Sequence, residues 1–169
     1  MRLAIAVIFI TNPAWGACLP GEQTFMTCQI EGSSKSLRVC FNAHTAYYRF
    51  GALDERPELE LKESIETVSY TLWPGVGRSI WEAVQFENLD YSYEVHGGFE
   101  RMFDDEEYED VPHRSFGGVR VTQGETVVQE LSCARETVDF TWDVTLGEAK
   151  NDLGYAWSFE ANEWIALPD

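Results

Sequence analysis

Apolar and polar residues alternate at every second position through much of this 169-residue chain, and this period constrains the fold most strongly. In the segment 89–96, Leu89, Tyr91, Tyr93 and Val95 alternate with polar residues. Successive side chains of a β-strand point to opposite faces, so this period predicts strands with one buried and one solvated face. Similar patterns predict further strands at 23–30, 36–42, 45–50, 57–62, 68–73, 78–87, 119–122 and 125–133.

Short connections rich in Gly, Asn and Ser separate these strands, as in Gly32-Ser33-Ser34 and Gln123-Gly124. Such spacing is typical of antiparallel hairpins and favours an all-β sandwich or a small closed barrel. Of these two architectures we predict the barrel. The expected fold is mainly β, with an antiparallel β-barrel of about eight strands over 18–133. Closure would remove the exposed sheet edges.

The pattern changes after Cys133, in a C-terminal extension at 134–169. Thr145 and Glu148 form a capping box, and Gly154 is placed where a helix would stop, which predicts one short helix at Leu146–Leu153. Its apolar face would be Leu146, Ala149 and Leu153. The aromatic tail from Tyr155 onward would pack back on the barrel as a final strand or a cover.

The N-terminal residues, within 1–17, have the pattern of a secretory signal peptide. Met1-Arg2 precede the apolar run Leu3–Ile10, and small residues follow in 14–17. We favour cleavage after Gly16 over cleavage after Ala17, and acylation of Cys18 stays an alternative. The run is too short to span a bilayer, so we expect a periplasmic or secreted protein without an integral membrane span.

Four cysteines in an exported chain predict two disulfides. Strand parity places Cys28 and Cys133 inward, with their apolar neighbours, and Cys40 outward. Side chains on opposite faces of a sheet cannot reach the separation that a disulfide needs. We therefore predict Cys28–Cys133 in the core and Cys18–Cys40 on the outer surface.

The chain is strongly acidic, with 29 acidic and 12 basic residues and a formal net charge of −17. A field of this sign repels nucleic acid and anionic lipid and attracts cationic partners. Six of the seven residues in 104–110 are acidic. We interpret this run as a solvated loop that steers a basic partner. Calcium binding is the alternative, although the ordered ligand spacing of a calcium loop is missing.

Motifs of known catalytic chemistry are not found: there is no G-x-S-x-G, S-x-x-K or H-E-x-x-H. His44, His96 and His113 are interpreted as surface residues. We therefore assign no catalytic residue, no metal ligand and no cofactor.

The segment 72–81 places Pro74 and two glycines between Trp73 and Trp81, with Arg78 as its single cation. It is either a projecting recognition loop or a bend between two strands. The nearby Glu82 lies on the inward parity of its strand. It must therefore pair, for example with Arg78, or lie at a bulge.

The order of these motifs resembles a group of small uncharacterised exported proteins of Gram-negative bacteria over about 18–133. These proteins share a post-signal cysteine, a C…G-x-x-K-x-L/I-x-V-C hairpin, a P-E-L-x-L strand and a W-x-G-x-G-R segment. The matching residues are Cys18, Cys28, Gly32, Lys35, Leu37, Val39, Cys40, Tyr47, Tyr48, Phe50, Gly51, Pro57, Glu58, Leu59, Leu61, Trp73, Gly75, Gly77, Arg78 and Cys133.

The expected scaffold is also similar, at the level of fold, to periplasmic lysozyme inhibitors of the MliC and PliI type. Basic lysozymes would be attracted to so acidic a protein. We therefore predict a binding or inhibitory module for a cationic protein such as a cell-wall hydrolase. A glycan-binding or small-ligand-binding module is the first alternative, and a hydrolase with an unidentified carboxylate site is the second. The predicted partner-binding residues are Trp73, Arg78, Trp81, Asp104, Asp105, Glu106 and Glu107.

Overall fold

A computed structural model describes residues 18–101, 114–142 and 145–168 of the chain. These residues form twelve strands, one α-helix and a short 3-10 helix at Arg135–Thr137. The strands are β1 Gln23–Gln29, β2 Lys35–Phe41, β3 Thr45–Ala52, β4 Leu59–Ser64, β5 Ser69–Thr71, β6 Ser79–Asn88, β7 Tyr91–Glu100, β8 Arg114–Gln123, β9 Thr126–Ser132, β10 Asp139–Phe140, β11 Tyr155–Ser158 and β12 Glu163–Ala166, and the helix α1 is Thr145–Asp152.

The strands form two five-stranded antiparallel sheets and one hairpin. The first sheet has the order β10-β1-β2-β3-β4, the second runs β5-β6-β7-β8-β9, and β11 pairs with β12. The mainly β, antiparallel fold is confirmed, but the closed barrel of about eight strands is wrong. Closure would need a ladder between the two sheets. Instead β10 occupies the outer edge of β1, and among the described residues the β-pairing between the two sheets is limited to the single bridge between Ile30 and Cys133.

The two sheets pack face to face over one shared core, which is the arrangement of a β-sandwich. Rings from opposite sheets meet there: Phe25 contacts Tyr70 edge-on at 6.1 Å, and Tyr48 contacts Phe86 at 5.8 Å between ring centroids. Aromatic pairs at such separations add to the stabilisation that burial supplies. The alternation in the sequence therefore predicts most of the buried faces correctly, although the sheets stay open.

Part of the outer face of the first sheet, around Cys40 and Arg49, is covered by the segment that precedes β1. Cys18 forms a disulfide with Cys40, which points outward as predicted but is fully buried beneath this segment. Glu22 accepts two hydrogen bonds of 2.7 Å from the guanidinium of Arg49. Burial opposes ionisation of Glu22, but the hydrogen bonds and charge of Arg49 outweigh it and lower the pKa of this carboxyl.

The second disulfide joins Cys28 at the end of β1 to Cys133 just after β9, as strand parity predicts. Both cysteines are buried in the core. Beside them, the amide of Glu31 donates to the carbonyl of Ser132 at 2.9 Å. The bridge therefore ties one end of the first sheet to the last strand of the second.

Two apolar residues predicted to be inward lie on the surface. Leu89 has φ 58° in the turn between β6 and β7 and is 96% exposed. Val127 lies beyond a register shift between β8 and β9 and is also exposed, because the extra residue of a bulge interrupts the alternation.

The C-terminal segment packs on the sandwich. The helix α1 begins at Thr145 and buries Leu146, whereas Leu153 lies beyond its end and is exposed. The hairpin β11–β12 is held by Trp164, whose indole N–H donates to the carbonyl of Tyr70 at 2.8 Å while its ring stacks on Tyr70. The aromatic tail is therefore a hairpin that covers the edge of the second sheet at β5.

Candidate functional site

Aromatic side chains project from the solvent-facing side of the second sheet. Trp81 on β6 and Phe116 on β8 both lie opposite Gly98 on β7, one on each side. A Cβ atom at position 98 would lie 2.7 Å from Cζ of Phe116 and 2.9 Å from Cβ of Trp81. Only glycine therefore lets the two aromatic side chains approach each other across β7.

His96 continues this surface along β7, between Ala83 on β6 and Gly118 on β8. The imidazole lies close over Gly118, where a Cβ atom would be 3.2 Å from Cε1 of His96. Partial burial is the largest influence on this histidine and lowers its pKa below the usual value of 6.5. His96 therefore adds no positive charge to the surface at neutral pH.

These residues enclose a cavity of about 310 Å³ on the outer face of the sheet, which we call the outer groove. A second cavity of about 570 Å³, toward the 3-10 helix, shares His96 and Phe116 as its wall. These two side chains therefore separate the outer groove from the second cavity. The residues that line the outer groove are Thr71, Trp81, Ala83, Glu94, His96, Phe116 and Arg120.

One end of the outer groove is charged. Arg120 on β8 lies between two carboxylates, 3.7 Å from Glu94 on β7 and 2.7 Å from Glu130 on β9. The lining at this end has one carboxylate, Glu94, and one guanidinium, Arg120, and the adjoining carboxylate of Glu130 outside the groove makes the net charge there negative. The groove thus places aromatic walls beside an acidic end, which is chemistry suited to a cationic side chain.

The two tryptophans predicted to bind a partner, Trp73 and Trp81, lie in different surroundings. Trp81 lines the outer groove. Trp73 is half-buried in the β5–β6 loop, where its indole N–H donates to the carbonyl of Val76 at 3.0 Å and the guanidinium of Arg101 lies 4.9 Å from its ring. Arg78 is exposed in the same loop. The loop projects into solvent, with Val76 72% exposed, but the Trp73 side chain makes its contacts inside the loop.

Glu82 is inward and 2% exposed, as its parity predicts, but the suggested partner Arg78 is wrong. The hydroxyl of Tyr70 donates to the Glu82 carboxylate at 2.7 Å. Burial raises the pKa of Glu82 to about 7, although this hydrogen bond works in the opposite direction. Glu82 belongs to the core and does not reach the outer groove.

The remaining candidate residues form no binding or catalytic site among the residues that the structure describes. Asp104, Asp105, Glu106 and Glu107, with the rest of the acidic run and His113, lie outside the described residues. His44 is exposed in the β2–β3 turn. Among the described residues, the cluster with metal-ligand spacing is Cys18, Glu22 and Cys40, and both sulfurs are already joined in a disulfide.

Phe116, Glu94 and Arg120 were not predicted as site residues, although the sequence carries a signal for the aromatic part of the groove. Trp81, His96 and Phe116 all fall on the solvent-facing parity of their strands, where polar residues are expected. Large rings at wet-face positions of three neighbouring strands indicate a binding surface. Recognising it required the strand order and register.

No protein-family model, curated protein or solved structure matches this chain. Among the described residues, no helix has both the length and the apolar character needed to cross a membrane.

Proposed function

We propose that this chain is an exported binding module that recognises a cationic protein through the outer groove. The partner class that fits best is a basic cell-wall hydrolase, for example a lysozyme, which the module would bind and inhibit in the periplasm or outside the cell. Two disulfides support an oxidising compartment. The observation that carries the proposal is the aromatic groove with an acidic end on a chain of net charge −17.

The groove accommodates a lysine or arginine side chain by two complementary interactions. The faces of Trp81 and Phe116 offer cation–π contacts, each of about 0.5–2 kcal/mol depending on solvent exclusion. Glu94 offers a carboxylate at the end of the same groove. The net charge of the chain accelerates the encounter, so the association rate falls as salt screens it.

The test measures binding of a basic c-type lysozyme by isothermal titration calorimetry over a series of salt concentrations. We expect Trp81→Ala and Phe116→Ala each to weaken binding by about tenfold or more, the scale of a hot-spot residue. Phe159→Ala is the matched control, because Phe159 is a 71% exposed aromatic residue outside the groove. Absence of binding at the lowest salt concentration would reject a lysozyme partner, and equal losses in all three variants would reject the groove.

A glycan is the second candidate, because two aromatic side chains flanking a shallow groove also suit the apolar face of a sugar ring. The salt series separates the candidates. Binding of an uncharged glycan would be insensitive to salt, whereas binding of a basic protein weakens as salt rises. Salt-independent glycan binding that Trp81→Ala abolishes would favour the glycan.

A further inference from the structure

The edge of the second sheet at β9 differs from the other three edges of the two five-stranded sheets. Exposed edges invite pairing with another strand, and proteins protect them by making them short or charged. β5 has three residues and β10 has two, and β4 carries Glu60, Lys62 and Glu63 along its six residues. β9 has seven residues, six of them exposed, and carries a single charged residue, Glu130, with neither lysine nor proline.

The pairing of β9 with β8 determines which backbone N–H and C=O groups of β9 point away from the sheet. The amide of Cys133 donates to the carbonyl of Gly117, and hydrogen-bonded pairs alternate along an antiparallel ladder. Glu130 is paired with Arg120 at a position where the backbone groups point away from β8. The next outward carbonyl, that of Ser132, already accepts from Glu31. A strand that continued this pairing would therefore meet the N–H and C=O of Glu130.

The side chains along this edge define what such a strand would contain. Val127 and Val128 are 52% and 46% exposed, which is apolar surface that a β-branched residue would cover. Glu125 and Glu130 flank them with carboxylates, and both are exposed. A second copy of this chain would bring its own charge of −17 to the same edge, so electrostatic repulsion opposes self-pairing.

We infer that β9 is a docking edge to which an extended, cationic segment of a partner protein adds as a sixth strand of the second sheet. Main-chain hydrogen bonds to Glu130 would supply affinity, and alternate lysine or arginine and β-branched side chains would supply specificity. The inference rests on the proposed function in one respect, that the partner is cationic. It adds the mode of binding and a surface separate from the outer groove.

The test uses a capped octapeptide of alternating lysine and valine as the probe, with calorimetry for affinity and amide hydrogen exchange for location. We expect binding to slow exchange at Glu130, and a peptide N-methylated at alternate residues to bind at least tenfold more weakly, because it lacks the donors needed for pairing. Equal affinity of the two peptides for the wild-type protein would overturn the inference.

Glu130→Pro and Glu130→Ala form a matched pair of variants. Both lose the ion pair with Arg120, but only proline removes the outward N–H, which β8 does not use. We expect Glu130→Ala to retain most of the affinity for the lysine–valine peptide and Glu130→Pro to lose at least tenfold. Equal affinities in the two variants would show attraction by charge alone and contradict strand addition.

Two further outcomes separate this inference from the proposed function. Lysozyme binding that Trp81→Ala weakens and Glu130→Pro leaves unchanged would overturn strand addition while the groove stands. Peptide pairing at β9 without any lysozyme binding would support strand addition and reject the lysozyme partner. A dimer in sedimentation velocity that Glu130→Pro dissociates would identify a second copy as the occupant and overturn the cationic partner.

Discussion

At the scale of single residues, the most consequential contact lies inside the core, where Tyr70 donates a hydrogen bond to the buried carboxylate of Glu82. Desolvation raises the pKa of Glu82 from 4.5 to about 7 and also raises the pKa of Tyr70. The folded protein therefore holds a proton on Glu82 at pH values where the unfolded chain has released it. This difference links stability to pH.

We predict that Glu82→Gln changes the pH dependence of unfolding. Because the folded pKa is raised, the contribution of Glu82 to stability is fully present below about pH 4.5 and is lost as pH rises through about 7. The free energy of unfolding of the variant, relative to wild type, should increase by about 3 kcal/mol between these limits. Chemical denaturation across this range is the measurement, with the exposed Glu160→Gln as control. A pH-independent difference would contradict a raised pKa.

The inward position of Glu82 could be predicted from its sequence parity, but its partner could not. Arg78 is only four residues away in sequence, yet it lies in a loop with two left-handed glycines, Gly75 and Gly77, and is exposed. Tyr70 is twelve residues away and reaches Glu82 because β5 pairs with β6. Proximity between strands depends on register, which single-residue patterns do not encode.

At the scale of elements, the two disulfides hold different parts of the fold. Cys18–Cys40 fastens the covering segment to the outer face of the first sheet across 22 residues. Cys28–Cys133 joins the two sheets across 105 residues. A longer closed loop removes more conformational entropy from the unfolded chain.

We predict a larger loss of stability when the inter-sheet disulfide is removed. In the loop-entropy account, replacing Cys28 and Cys133 by alanine costs about 5 kcal/mol, and replacing Cys18 and Cys40 costs about 3 kcal/mol. The measurement is the denaturation midpoint of each double variant under identical conditions. The account would be contradicted if the Cys18/Cys40 variant were the less stable of the two.

Most strands could be predicted from alternation, whereas sheet closure could not. Period-two patterns predicted a strand at each of β1 to β9, but only residues 119–122 of β8 were included, and errors arose where a turn residue such as Leu89 or a bulge near Val127 interrupts the period. Closure depends on which distant strands pair. The two-residue β10, which occupies the edge of β1, gives almost no signal in the sequence. The short helix α1 was predicted within one residue at each end from its cap signals.

At the scale of the whole molecule, the outer face of the first sheet is partly covered, whereas that of the second sheet is open. The segment before β1 covers the first sheet through Cys18 and Glu22. The second sheet exposes the outer groove with Trp81 and Phe116, and its edge β9 is free among the described strands. In the proposed function, this asymmetry and the net charge of −17 would together direct a cationic partner to the second sheet.

Mapping the interface by NMR tests this central proposal most directly. A basic lysozyme is titrated at low salt into the isotope-labelled protein, and shifts of amide and indole signals are followed. We predict that the largest shifts fall on Trp81, His96, Gly98 and Phe116, and that they disappear as salt is raised. Shifts centred on the covered first sheet, or none at low salt, would contradict recognition of a cationic protein by the outer groove.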